Sequence, residues 1–251
     1  MKNQFSRTQI IIGKTALETL KNKTVAVFGI GGVGGYVCES LVRSGVGKLV
    51  LVDNDDVAVS NINRQIIATN STIGQSKVDV MANRAKDINP DVIIEKRKCF
   101  YLPETATEFN FKEYDYVVDA IDTVTAKIDI IMKCKENNIP IISAMGAGNK
   151  MEPSKLEVSD ISKTEYDPLA KVMRRELRKR GINHLKVVYS KEKALKPFED
   201  GYLEECLSEA SNKRVIPGST AFVPSAMGLI IASEVIKDLI GFKSESTIYK
   251  K

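Results

Sequence analysis

The chain has 251 residues, 37 Lys and Arg against 32 Asp and Glu, a formal charge of +5, 43% hydrophobic residues and one histidine. That is enough apolar material for a sizeable folded core, and it excludes a disordered or low-complexity binding protein. With His184 as the single histidine, a histidine-based hydrolase or a His-rich metal centre is not expected, because each needs imidazoles placed among other specific groups.

Residues 1–14 mix polar and apolar side chains without a continuous hydrophobic core, so no secretory leader is expected and the expected compartment is the cytoplasm. Residues 24–29 form a short apolar run typical of a strand buried on both faces, and 33–44 have the apolar spacing of a helix packed on it. A second such strand is expected over 48–53 and a helix over 77–88, stopped by Asn89-Pro90. Strands at 91–96, 114–119 and 140–144 follow, with a helix over 125–137 before the last of them. Strands separated by helices imply βαβ units, hence an α/β fold with a doubly wound, mainly parallel sheet. Beyond Met151 the alternation weakens. Asp167-Pro168 opens a helix ending near Arg180-Gly181, 185–190 reads as a strand, and a turn at 217–220 leads to a last helix over 226–239. The apolar stretch 221–240 is broken by Ser225, Ser233, Glu234, Lys237 and Asp238, so it faces a core and no membrane partner is expected.

Cys38, Cys99, Cys134 and Cys206 lie far apart with no CxxC pair, which signals neither a zinc site nor a redox dithiol. The glycine loop is more informative. Gly29, Gly31, Gly32 and Gly34 follow the first strand and open the first helix, the context in which GxGxxG lets backbone approach a phosphate and turns a helix N-terminus toward it. Asp53 ends the second strand, where its carboxylate can accept from both ribose hydroxyls. Taken alone, loop and aspartate favour a dinucleotide such as NAD over ATP. Arg64, Lys77 and Asp122 shift that balance: two further cations match the charge of a triphosphate, and a carboxylate can support its magnesium ion.

Residues 29–35, Asp53, 60–65, 74–77 and Asp122 resemble the adenylation core of ubiquitin-activating-like enzymes, including the molybdopterin-synthase and thiazole-biosynthesis adenylyltransferases. The resemblance covers roughly residues 1–150 and implies a Rossmann-like ATP site. In it Gly29, Gly31, Gly32, Gly34, Asp53, Asp55, Asn61, Arg64, Lys77 and Asp122 surround ATP and Mg²⁺, with Asp53 on ribose, Arg64 and Lys77 on phosphates and Asp122 on the metal. Phe5-Ser-Arg7 resembles the family's aromatic-x-Arg segment, which implies a homodimer in which Arg7 completes the partner's site.

The second half carries Asp167-Pro-Leu-Ala, the run from Arg174 to Ile182, Val187-Val-Tyr-Ser and the turn from Gly218 to Ser225. These resemble the tRNA threonylcarbamoyladenosine dehydratase family and extend the likeness over nearly the whole chain. The implied organisation is one domain over 1–251, with an ATP-binding core at 1–150 and a substrate-binding, dimer-supporting part at 151–251 as an α+β extension. The implied reaction adenylates the threonine carboxylate of the modified nucleoside and closes it into a ring, so no protein nucleophile is required. A monovalent cation at the 218–225 turn, and sulfur-transfer or electron-transfer protein partners, are further features the resemblance admits. The alternative from the same superfamily is an adenylyltransferase acting on the C-terminal glycine of a ubiquitin-like sulfur carrier, against which the missing CxxC pairs argue.

Charge offers a separate indication. Residues 163–196 hold eleven Lys and Arg against four Asp and Glu, a balance of +7, so the rest of the chain sums to −2. On the expected helix Arg174 and Arg178 lie one turn apart, as do Arg175 and Lys179, and with Arg180 they form a candidate basic face for the tRNA backbone. Tyr189 and Phe198 could stack on a base, although core packing is the commoner role of a single aromatic, and His184 reads as a surface or capping residue.

Overall fold

A computed structural model describes residues 3–198 and 217–242. In chain order these form α1 (Ser6–Lys21), β1 (Thr24–Phe28), α2 (Gly34–Arg43), β2 (Lys48–Val52), α3 (Lys77–Ile88), β3 (Ile93–Arg97), β4 (Tyr116–Asp119), α4 (Val124–Glu136), β5 (Ile141–Ala144), β6 (Leu156–Asp160), α5 (Pro168–Arg178), β7 (Lys186–Ser190) and α6 (Phe222–Leu239), joined by loops and short 3₁₀ turns.

The strands make one sheet in the order β3-β2-β1-β4-β5-β7-β6. All pairings are parallel except that of β6 with β7. Alternation along the strands explains the two cores. Val25 and Val27 of β1, with Leu49 and Leu51 of β2, face the layer that includes α2, α3 and α6. Ala26, Phe28, Val50 and Val52 face the opposite layer, where Tyr101, Phe109, Phe111 and Tyr114 meet α4 and α5. Each fully buried Val, Leu or Phe contributes roughly 1.5–3 kcal/mol, so two filled faces pin the strand register, which a one-residue slip would invert.

The expected α/β sheet is present, and two elements were not anticipated. Residues 6–21 form α1, interrupted at Gly13 (φ 83°), although only Leu20 along it is buried. β6 adds an antiparallel edge strand to the far side of β7. α6 begins at Phe222, four residues before the expected start, because Pro224 falls in its first turn, where the missing N–H costs nothing. α6 also crosses α2 closely: a Cβ built on Gly228 would lie 2.5 Å from the Val33 carbonyl oxygen.

The order 3-2-1-4 creates a topological switch between β1 and β4, where the chain crosses from one side of β1 to the other. The crevice outside the carboxyl ends of these strands is where open α/β sheets bind ligands.

Candidate active site

A cleft of about 550 Å³ occupies that switch point. Its floor is the turn between β1 and α2. A Cβ on Gly34 would stand 1.8 Å from the Gly29 carbonyl oxygen, so the turn closes this tightly only with glycine at 34. Val33, at the cap position of α2, supplies no side-chain cap, which leaves first-turn N–H groups of the helix for an anion. Gly31 and Gly32 line the cleft. The stem of Arg64 lies across Gly32, 3.4 Å from where a Cβ would be.

Asp53 sits at the end of β2. Its carboxylate accepts from the Ile30 N–H at 2.6 Å and the Asp55 N–H at 2.9 Å. Burial raises its pKa, against the lowering influence of Lys77 and the two N–H donors. One lone pair on each oxygen is left for a further donor such as a ribose hydroxyl. Lys77, 5% exposed, begins α3 and places Nζ 2.7 Å from Asp55 Oδ2. The segment is held by Lys77 N–H to the Asp55 carbonyl and Val57 N–H to the Gln75 carbonyl. Arg64 Nη1 donates to the Ser60 carbonyl and Asn63 Oδ1, both at 2.9 Å. Burial draws its guanidinium pKa below the ordinary value. Asn61 accepts from the Ala58 N–H at 3.2 Å and holds the Arg64 turn. Asp122 is exposed on the loop after β4, near the Thr123 hydroxyl.

The cleft therefore gathers Gly29, Gly31, Gly32, Asp53, Asp55, Asn61, Arg64, Lys77 and Asp122, with Gly34 directly behind its floor. Arg7 is exposed on α1 and does not line the cleft of its own chain. The basic run lies apart, on α5. There Arg174 is engaged: Nη1 donates to the Thr164 carbonyl at 2.8 Å and to Thr164 Oγ1 at 2.5 Å. Arg175, Lys179 and Arg180 converge on Glu176, with Lys179 and Arg180 chiefly responsible for lowering that carboxyl to about 2. Arg178 and Lys171 are exposed and have no ion-pair partner among the described residues.

Several site features were not assigned roles from sequence. Lys127 is fully buried and paired with Asp119 at 2.9 Å, and it donates to the Ala144 carbonyl at 2.9 Å, joining β4 to β5 beneath the Asp122 loop. Its signal was a lysine on the apolar face of α4. Gln65 lines the cleft with Oε1 buried and unpaired. Asn149 and Gly218 exchange hydrogen bonds at 2.7 and 2.6 Å, bringing the start of the last segment to the cleft wall. Tyr189 is fully buried in the core, so of its two readings core packing holds and base stacking does not. His184 is an exposed surface residue 3.3 Å from Asp160, as expected. Cys38 and Cys134 are buried, and burial pushes both thiols up. Cys99 lines the cleft half-exposed, and Cys206 lies outside the described residues.

Two cations, a ribose-type carboxylate and an uncapped helix start around one cleft suit a nucleoside polyphosphate. The model of the ThiF family matches residues 5–250. The tRNA threonylcarbamoyladenosine dehydratase of Bacillus subtilis is 48% identical over 243 residues, covering 96% of each chain. Among solved structures, tRNA N6-threonylcarbamoyladenosine dehydratase of Escherichia coli in complex with AMP is similar at TM-score 0.84 and 32% identity, over 95% of this chain and 94% of that one. The same Escherichia coli enzyme in complex with ATP gives TM-score 0.84 and 31% identity, over 97% and 96%.

Proposed function

The chain belongs to the ThiF family and to its tRNA threonylcarbamoyladenosine dehydratases, and on that premise we propose how its residues divide the work of an ATP-dependent dehydration of threonylcarbamoyladenosine in tRNA. The observation that carries the reading is the convergence of Arg64, Lys77, Asp53 and the start of α2 on one cleft.

An oxygen of the threonine carboxylate attacks the α-phosphorus of ATP, and pyrophosphate leaves. Arg64 and Lys77 place positive charge where negative charge grows, and Asp53 orients the ribose. The carbamoyl group then attacks the activated carbonyl carbon, the ring closes, and AMP departs with the former carboxylate oxygen. The acceptor is already tethered, so proximity replaces a protein nucleophile.

Asp122, a hard oxygen donor at the cleft, is the residue that would hold magnesium. When bound, it would neutralise phosphate charge.

The tRNA backbone is assigned to the exposed side of α5 and its surroundings, with Lys171 and Arg178 as the unpaired cations and Arg175, Lys179 and Arg180 beside them. Arg174 is assigned a positioning role there, since it holds the 161–164 turn. A homodimer supplying Arg7 in trans is supported by the exposure of α1, where Ile10 and Ile11 are 84% and 78% exposed. No helix of the described residues is long and apolar enough to cross a membrane. Against the sulfur-carrier alternative stand the missing CxxC pairs and the likeness to a tRNA threonylcarbamoyladenosine dehydratase over 96% of the chain.

The test is incubation with ATP, magnesium and tRNA bearing threonylcarbamoyladenosine, followed by mass analysis of the nucleosides. Loss of one water from that nucleoside is expected, dependent on ATP. An unchanged nucleoside alongside adenylation of a ubiquitin-like carrier would favour the alternative.

A further inference from the structure

Tyr166 has features that packing does not require. It is 59% exposed, and its φ is +55°, in the left-handed region that a bulky L-residue seldom occupies. It is the middle residue of a three-residue turn closed by Asp167 N–H to the Glu165 carbonyl at 2.6 Å, the hydrogen-bond pattern of a γ-turn, which is rare and strained at positive φ. The turn is forced from behind. Asp167 is buried and caps α5 through the Ala170 N–H at 3.0 Å. It also accepts from the Gly146 N–H at 2.9 Å and faces Lys150 Nζ at 3.4 Å. An immobile Asp167 thus holds its neighbour's ring at the surface.

The ring's position relates it to the cleft. Gly146 leads directly into Ala147 and Gly148, which line the cleft. Lys193 Nζ lies over the ring, 5.3 Å from its centroid. Two residues on, Leu195 N–H donates to the carbonyl of Asn149, the residue bonded to Gly218 in the cleft wall. Tyr166 and Lys193 do not line the cleft themselves; they are tied, through Asp167 and Leu195, to the 146–149 segment, of which Ala147 and Gly148 line it. Lys163, Lys171 and Arg178 are exposed in the same +7 stretch, without ion-pair partners among the described residues.

We propose that Tyr166 is a stacking platform for an unpaired base of the RNA substrate, with Lys193 serving the adjoining phosphate. The inference rests on the dehydratase reading. Its physical basis is general: sequence-tolerant recognition of single-stranded RNA uses an aromatic face for the base and a cation for the backbone. The reacting carboxylate must enter the cleft while the flanking nucleotides stay outside it, so an exposed aromatic anchored to the 146–149 segment, outside the cleft, suits one of those nucleotides. A positive φ held in place by a buried aspartate directs the Cα–Cβ bond of that aromatic outward, a kind of backbone strain that clusters at functional sites.

The experiment compares wild type with Tyr166→Ala, Tyr166→Gly and Tyr166→Phe. The readouts are kcat and KM for modified tRNA, affinity for an unmodified anticodon stem-loop, and melting temperature with and without ATP. The Ala and Gly variants are expected to raise KM and weaken stem-loop binding roughly tenfold or more, and Phe is expected to restore both. The ATP-induced rise in melting temperature stays at the wild-type value throughout. The Gly variant, whose backbone suits φ +55°, keeps or gains thermal stability while losing RNA affinity, which a purely structural tyrosine would not do. Wild-type affinity and KM in the Ala and Gly variants would overturn the proposal, as would a loss that follows melting temperature and vanishes in the Gly variant. Failure of wild type to dehydrate modified tRNA would instead count against the dehydratase reading, while the stem-loop affinities still decide the role of Tyr166.

Discussion

Arg64→Ala is expected to slow tRNA-dependent AMP formation on the order of 10²–10³-fold, the usual cost of losing one preorganised charge partner of a transition state. The melting temperature should stay close to that of wild type, because the guanidinium's own contacts are a local carbonyl, Ser60, and a neighbouring side chain, Asn63. Steady-state AMP release together with a thermal scan separates the two effects. Lys77 is a less clean choice for the same test. Its ammonium is nearly fully buried against Asp55, so Lys77→Ala removes the proposed phosphate ligand and a contact between α3 and the 55–57 segment at once. A rate loss in Arg64→Ala that disappears when stability is restored would assign the residue to folding rather than catalysis.

The largest expected effect on stability belongs to Lys127→Ala. Lys127 and Asp119 are both fully buried, and their pair is completed by Ser143 Oγ donating to Asp119 at 2.5 Å and by the Ala144 carbonyl accepting from Lys127. Removing one partner strands a charge in the middle of the sheet, which costs about 3–5 kcal/mol, a large part of a typical domain's stability. Chemical denaturation should show the full loss in the single variant. In Lys127→Met combined with Asp119→Asn much of it should be recovered, since neither charge is then left unpaired. The exposed pairs around Glu176 contribute little by comparison, because solvent screens them. A single variant as stable as wild type would contradict the buried-pair account.

The sheet was legible because its strands are buried on both faces. The runs at 24–28 and 48–52 are nearly continuous apolar residues, and helices with clear apolar spacing separate them. β6 escaped because an edge strand half-covered on each side, with Glu157 and Ser159 alternating against Leu156 and Val158, carries little burial signal. α1 escaped for the opposite reason. Its most apolar run, Ile10-Ile-Ile12, lies largely outside the chain's own core, so no core-facing stripe marks a helix.

At the site, residues whose chemistry is tied to a fixed loop spacing were legible. Gly29, Asp53, Arg64, Lys77 and Asp122 meet in one cleft although they come from three separate connections, β1–α2, β2–α3 and β4–α4. What spacing did not carry was pairing at a distance. That Glu176 occupies three of the basic residues on and just after α5, and that Thr164 and Ile161 occupy Arg174, follows from side-chain reach across turns and helix faces. The +7 stretch was visible as a count. The few cations in it that are free for an anionic partner were not.

The central claim is that the threonine carboxylate attacks the α-phosphorus of ATP in the cleft bounded by Arg64 and Lys77. Transfer of isotope tests it most directly, using tRNA whose threonylcarbamoyladenosine carries ¹⁸O in both carboxylate oxygens. After turnover with ATP and magnesium, the account predicts one heavy oxygen in the phosphate of each AMP released and one retained in the cyclic nucleoside. Heavy oxygen in inorganic phosphate or pyrophosphate, with unlabelled AMP, would contradict it.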